Sequence, residues 1–159
     1  MQNGSMLDPR FRMLCLTLAA NLICISAARA GLGGDAAGVA ADAKFLRGVV
    51  HSESTLLFDV REIITDAGLR VREYLNRDGI VFAVTWRGPI QPDLQQLLQT
   101  SFASYNQARS ALIQPGLRRS LRIASTDLVV ETAGHLRAYS GRAYLPTRIP
   151  AGASANDLS

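Results

Sequence analysis

Cysteine is almost missing from this chain. Cys15 and Cys24 are the only two in 159 residues, and both fall within the first 30. If that stretch is removed, the remainder carries no thiol, which excludes a disulfide and a thiolate metal site. Histidine is as scarce: only His51 and His135 offer a base that titrates near neutrality. His51 lies in His-Ser-Glu-Ser, and a histidine near a serine in sequence does not make a triad in space, so it is read as a solvated loop residue. Also missing are a Gly-rich phosphate loop, Gly-x-Ser-x-Gly, His-Glu-x-x-His and calcium-loop spacing. No metal site and no cofactor are therefore expected. No internal repeat is visible.

The one long uncharged run is at the front. Met13 to Ala28 contains no charge, Arg10 and Arg12 precede it, and Ala28-Arg29-Ala30 closes it. A basic start, a short apolar stretch and an Ala-x-Ala end are the parts of a secretory signal peptide, with cleavage expected after Ala30. A spanning helix wants about 20 apolar residues; this run is shorter and interrupted by Asn21, so no stable membrane span is expected after cleavage. Leu14 and Ile23 stand before the two cysteines where a lipoprotein signal needs a small residue. The expected location is periplasmic or secreted.

Cleavage also changes the charge. It removes Arg10, Arg12, Arg29 and Asp8, so 17 basic and 13 acidic residues become 14 and 12, and the net charge falls from +4 to +2. Thirteen of those 14 are arginine, with Lys44 alone. So small an excess, on an exported chain, argues against a nucleic-acid partner.

What is present reads as one domain of ordinary composition, 48% hydrophobic and 19% charged. Residues 31–48 are read as a flexible segment carrying a short helix over Val39 to Leu46, residues 49–148 as a single α+β domain, and residues 149–159 as a loose tail. Val71 to Pro89 organises the domain: two alternating runs flank Asp78-Gly79, a dipeptide suited to a two-residue hairpin turn. That turn opposes Arg77 to Ile80, Leu75 to Phe82, Glu73 to Val84 and Val71 to Trp86. Val71, Leu75, Phe82, Val84 and Trp86 then share one face, and Arg70, Arg72, Tyr74, Thr85 and Arg87 the other. A three-residue loop would mix the two sets, and a slip of one residue moves every side chain across the sheet.

Before the hairpin, Leu56, Phe58, Val60 and Ile64 alternate with Asp59 and Arg61. The turn Thr65 to Gly68 is expected to bring Phe58 and Val60 to the face of Val71 and Leu75. After it, Pro89 and Pro92 end the sheet. Leu94, Leu97, Leu98, Phe102 and Tyr105 then recur at helical spacing, predicting a helix to about Ser110, stopped by Pro115-Gly116. Ser120 to Ala124, Leu128 to Glu131 and His135 to Tyr144 return to strand, with Gly134 and Gly141 as turns or bulges. The fold class is α+β: a largely antiparallel, twisted sheet of about five to six strands, one main helix on one face, and a short N-terminal helix.

Glu62 and Glu73 are expected on the apolar face, where desolvation raises a carboxyl pKa; Glu73 is the one candidate general acid or base, the plain alternative being a strand-end position or a pairing with arginine. The opposite face gathers Arg70, Arg72, Tyr74 and Arg87, with His135, Arg137 and Tyr139 if a later strand joins the sheet. Guanidinium forks bind carboxylate or phosphate and phenols stack on sugars, so this face suits an anionic envelope component or a partner protein. Its plain reading is a solvated polar face without a partner.

Arg72-Glu73-Tyr74, Gly79 to Pro89, Pro92-Asp93-Leu94 with Leu97-Leu98, Gly134-His135-Leu136-Arg137, and Gly141-Arg142-Ala143-Tyr144 with Pro146 resemble a group of secreted bacterial proteins, domain of unknown function 2844. Leu32-Gly33-Gly34 is similar to that group as well. The resemblance implies export in a Gram-negative bacterium and one shared architecture. It implies no activity, so no functional residue is carried over. The sequence thus reads as an exported binding or interaction module, with a periplasmic enzyme using Glu73 as the alternative.

Overall fold

The computed structural model describes residues 31–112 and 120–158. The expected signal segment with both cysteines, the Pro115-Gly116 stop and Ser159 lie outside the described residues. The elements are α1 (Ala36–Leu46), β1 (Gly48–Ser54), β2 (Asp59–Thr65), β3 (Arg70–Leu75), β4 (Val81–Gly88), α2 (Leu94–Leu98), α3 (Phe102–Ala111), β5 (Ser120–Ala124), β6 (Val129–His135) and β7 (Ala138–Tyr144). The fold is α+β, with seven antiparallel strands rather than five to six, in the order β1-β2-β3-β4-β7-β6-β5. The additional strand is β1. It lies at the sheet edge and six of its seven residues are exposed, so burial never imposed an apolar alternation on its sequence.

The short N-terminal helix forms where expected, capped by the Asp35 side chain accepting from Gly38 N at 2.9 Å. Glycine-rich Gly31 to Asp35, read as flexible, is fastened along β4: Gly33 N donates to Val81 O and Val81 N to Gly34 O, at 2.8 and 2.9 Å. The main helical stretch starts on Asp93, whose carboxylate accepts from Gln95 N and Gln96 N. It breaks once, at Gln99 (φ +46), where a 3₁₀ turn (Gln99–Ser101) leads into α3. Leu94, Leu97, Leu98 and Tyr105 remain the buried stripe against the sheet.

Two registers differ from the reading above, for one reason. Both hairpins close through three residues, with the last glycine left-handed: Gly68 at φ +81 and Gly79 at φ +74. Between β2 and β3 this puts Val60 opposite Tyr74 and Ile63 opposite Val71. Phe58 and Val60 therefore lie on the face away from Val71, and Glu62 goes with them. Between β3 and β4, Asn76 faces Ile80, since Asn76 N donates to Ile80 O, and Leu75 pairs with Val81. A bulge at Phe82 then restores the anticipated pairs Glu73–Val84 and Val71–Trp86. The extra residue turns Phe82 to the opposite face.

Two cores result. The helix side holds Leu32, Val39, Ile63, Val71, Val84, Trp86, Leu97, Leu98, Tyr105 and Val130, among others. The other side holds Phe58, Tyr74, Phe82, Ala83, Val129, Tyr144 and Leu158. Phe58 meets Tyr74 and Phe82 edge-on, with centroids 5.7 and 5.9 Å apart. Residues 149–158, read as a loose tail, pack on this second cluster through Ile149, Ala153, Ala155 and Leu158. Central β4 is covered on both sides, and Val81 to Trp86 are all buried.

Candidate functional site

The last three strands complete the face opposite the helices. β6 and β7 are joined by a two-residue turn, Leu136-Arg137, with Arg137 left-handed (φ +67). That turn pairs His135 with Ala138 and Glu131 with Arg142, and β7 then pairs with β4 so that Arg142 stands opposite Thr85 and Ser140 opposite Arg87. Gly134 and Gly141 are ordinary paired strand residues rather than turns. A side chain at 141 would overlap the Trp86 ring, which explains the glycine there.

The outcome for each anticipated residue follows from this register. Arg70, Arg72 and Arg87 do come together, directly across β3 and β4. Tyr74 shares their face but is buried in the aromatic cluster, beneath the C-terminal residues. His135 has the right face and lies at the far end of β6. Arg137 is in the turn, and Tyr139, paired with Gly88 and Gly134, points to the helix side. The residue that replaces them is Arg142, with Arg122 and Glu131 beside it. Placing the turn at Leu136-Arg137 would have revealed this, because only then do the opposite charges at 131 and 142 face one another.

The part of this face not covered by residues 149–158 is concave, with a volume of about 750 Å³. Its lining includes Arg70, Arg72, Arg87, Arg122 and Arg142 against Glu62 and Glu131. Each glutamate bridges two arginines. Glu62 Oε1 accepts from Arg72 Nε at 2.8 Å and lies 3.9 Å from Arg70 Nη1. Glu131 Oε2 accepts from Arg142 Nε at 2.6 Å, and its Oε1 forms an ion pair with Arg122 Nε at 3.2 Å. The bond to Glu62 pushes the Arg72 pKa further above its ordinary value. Arg142 is also held by Ala155 O at 2.7 Å and stacks over Tyr144. Exposed pairs of this kind contribute about 0.2–1 kcal/mol each to stability; their larger effect is to fix the orientation of the guanidinium forks. Between the two clusters stands Arg87, exposed, whose side chain makes no hydrogen bond or ion pair among the described residues. Counting the named charges, five cations face two anions. Thr85, Ser120 and Ser140 add neutral hydroxyls to the lining.

Glu73 is on the other side of the sheet, as expected. Its side chain and that of Asp42 on α1 are both fully buried. Asp42 Oδ1 accepts from Gln96 Nε2 at 2.6 Å, while Asp42 Oδ2 and both Glu73 oxygens lack a partner of regular geometry. Desolvation, then the neighbouring Asp42 carboxyl, push the Glu73 pKa up to about 9, against a smaller downward pull from the Gly31 N–H. Desolvation raises Asp42 as well. Glu73 lines neither that concavity nor the smaller cavity beside Trp86 and Tyr139. Asp42 and Gly31 went unnoticed in the sequence, since nothing in a helix of alanines marks one aspartate as facing inward.

No helix among the described residues is long and apolar enough to cross a membrane. No curated protein and no solved structure matches the chain. The family model for DUF2844, a protein of unknown function, matches residues 28–158, and the chain belongs to that family.

Proposed function

We propose that this chain is an exported envelope protein, cleaved after Ala30 to a periplasmic or secreted form, and that it acts as a non-catalytic binding module for an anionic group. Export is supported by the basic, apolar and Ala-x-Ala segments in sequence, and the family match begins at Ala28, within the last of them. Binding is supported above all by Arg87: an unpaired guanidinium between two glutamate-fixed arginine clusters, in a concavity with hydroxyls around it. Fixed forks recognise carboxylate or phosphate through paired N–H donors at little entropic cost, and the free fork adds the contact that the clusters leave open. The partner is an acidic envelope component, phosphate- or carboxylate-bearing. The enzyme alternative fits less well, because Glu73 is sealed between sheet and helices, away from that concavity.

Trp86, the only tryptophan, borders the concavity and reports on it. Titration of the processed protein with polygalacturonate and with phosphatidylglycerol vesicles, read by Trp86 fluorescence, tests the reading and separates carboxylate from phosphate. Saturable binding of one probe, weakened at least about tenfold by Arg87→Ala together with Arg142→Ala and by raised salt, is the expected result. Binding unchanged in that double variant, or no binding of either probe, contradicts it. Glu73→Gln leaves the affinity unchanged.

A further inference from the structure

Two fully buried carboxyls without a cation are an unfinished arrangement. Removing a carboxylate from water costs several kcal/mol unless a charge and donors replace the solvent. Around Glu73 the possible sources are few. α1 carries Asp42, which is itself acidic, and Lys44, which is exposed and makes no ion pair among the described residues. α2 offers Gln96, already bound to Asp42 Oδ1. β4 places Val84 directly opposite, and on β2 Arg61 is opposite in register but makes no ion pair with it among the described residues. What remains is Gly31, whose N–H approaches the Glu73 carboxyl without giving either oxygen a regular hydrogen bond.

Gly31 is also held in place. It is buried, at φ +86, and a side chain there would run into the carbonyl oxygens of Leu97 and Gln96, 2.6 and 2.8 Å away. The next residues are pinned by Leu32 N to Leu97 O at 2.8 Å and by the Gly33 and Gly34 bonds to Val81. An amide at this position has one N–H, and peptide planarity fixes its direction. An α-ammonium has three that turn about the N–Cα bond, together with a full positive charge.

We propose that cleavage after Ala30 supplies the missing cation: the new α-ammonium of Gly31 forms a buried ion pair with the Asp42–Glu73 site, so that processing completes the core. This rests on the cleavage proposed above. Hydrolysis of the Ala30–Gly31 amide consumes one water: its oxygen completes the carboxylate on Ala30 and both of its hydrogens end on the Gly31 nitrogen as an ammonium. The step is proton-neutral, so Asp42 and Glu73 keep the proton they share. The two carboxyls, sharing one proton, carry a single negative charge that one ammonium matches. The chain ahead of Gly31 thereby acts as a cap on a charge site, and its removal turns a cost into an attraction.

The test is a mass measurement of the form exported by cells, followed by titration of its α-amine after selective ¹³C-methylation. The expected result is a first residue of Gly31 and an α-amine pKa raised by about one unit or more above its ordinary value of about 8. Its acylation by an amine-reactive ester is slowed about tenfold relative to Glu73→Gln. If Glu73→Gln does not fold, the same chain with Ala30 retained as first residue gives the contrast, its amine titrating normally. An exported form that begins at Gly31 but has an ordinary, freely reactive amine overturns the ion pair and leaves export standing. A form beginning elsewhere, or none exported, overturns the cleavage and the pair with it.

Discussion

Glu62 and Glu73 lie on adjacent strands of one sheet and differ in almost everything else. Glu62 faces the open side, half-shielded, between Arg70 and Arg72. Glu73 faces the helices, fully buried, with a second acid as neighbour and no cation from the described side chains. The same side chain is an orienting anchor in one place and a proton-holding group in the other. The difference comes from strand parity, which chooses the face, and from what covers that face: a rim of guanidiniums or a layer of leucines. Glu131 repeats the first arrangement with Arg122 and Arg142, so the open face uses its acids to hold arginines in position.

The widest expected separation between the two faces is in pH dependence. In a chain that keeps residues ahead of Gly31, the folded state holds the Glu73 proton up to about pH 9 while the unfolded state releases it near 4.5. Across that window the folded state binds more protons, so stability is full below the lower value and falls as pH rises, by up to about 1.4 kcal/mol per unit. Urea denaturation from pH 5 to 9 should record that decline, and Glu73→Gln should remove it.

Next in size is Phe82→Ala. It empties the centre of the cluster with Phe58 and Tyr74 and should cost about 3–5 kcal/mol in the same denaturation measurement. A loss below about 1 kcal/mol would mean that the bulge does not hold Phe82 inward. Smallest is Glu62→Gln on the open face, expected to cost less than about 1 kcal/mol because its partners are substantially solvated.

The comparison also explains how much of the molecule could be read from its residues. The α+β class, both helical stretches, the inward face of Glu73 and the grouping of Arg70, Arg72 and Arg87 follow from periodicity and one hairpin. The positions of Phe58, Val60, Glu62 and Phe82 did not, because Asp66-Ala67-Gly68 and Arg77-Asp78-Gly79 each close a three-residue loop on a left-handed glycine, and such a loop gives the opposite parity to the even-numbered turn that the same residues also suit. Tyr139 and Arg137 were misplaced for a related reason: the run from His135 to Tyr144 alternates well enough to hide the turn at Leu136-Arg137. The Asp42–Glu73 contact joins residues far apart in sequence through tertiary packing, and no local pattern encodes it.

The most direct measurement is a ¹³C NMR titration of the Glu73 side-chain carboxyl, assigned by Glu73→Gln, in a chain that retains residues ahead of Gly31. A carboxyl that stays protonated through neutrality and titrates near pH 9 is the predicted result. Titration near the ordinary value of 4.5 would contradict the closed face as described.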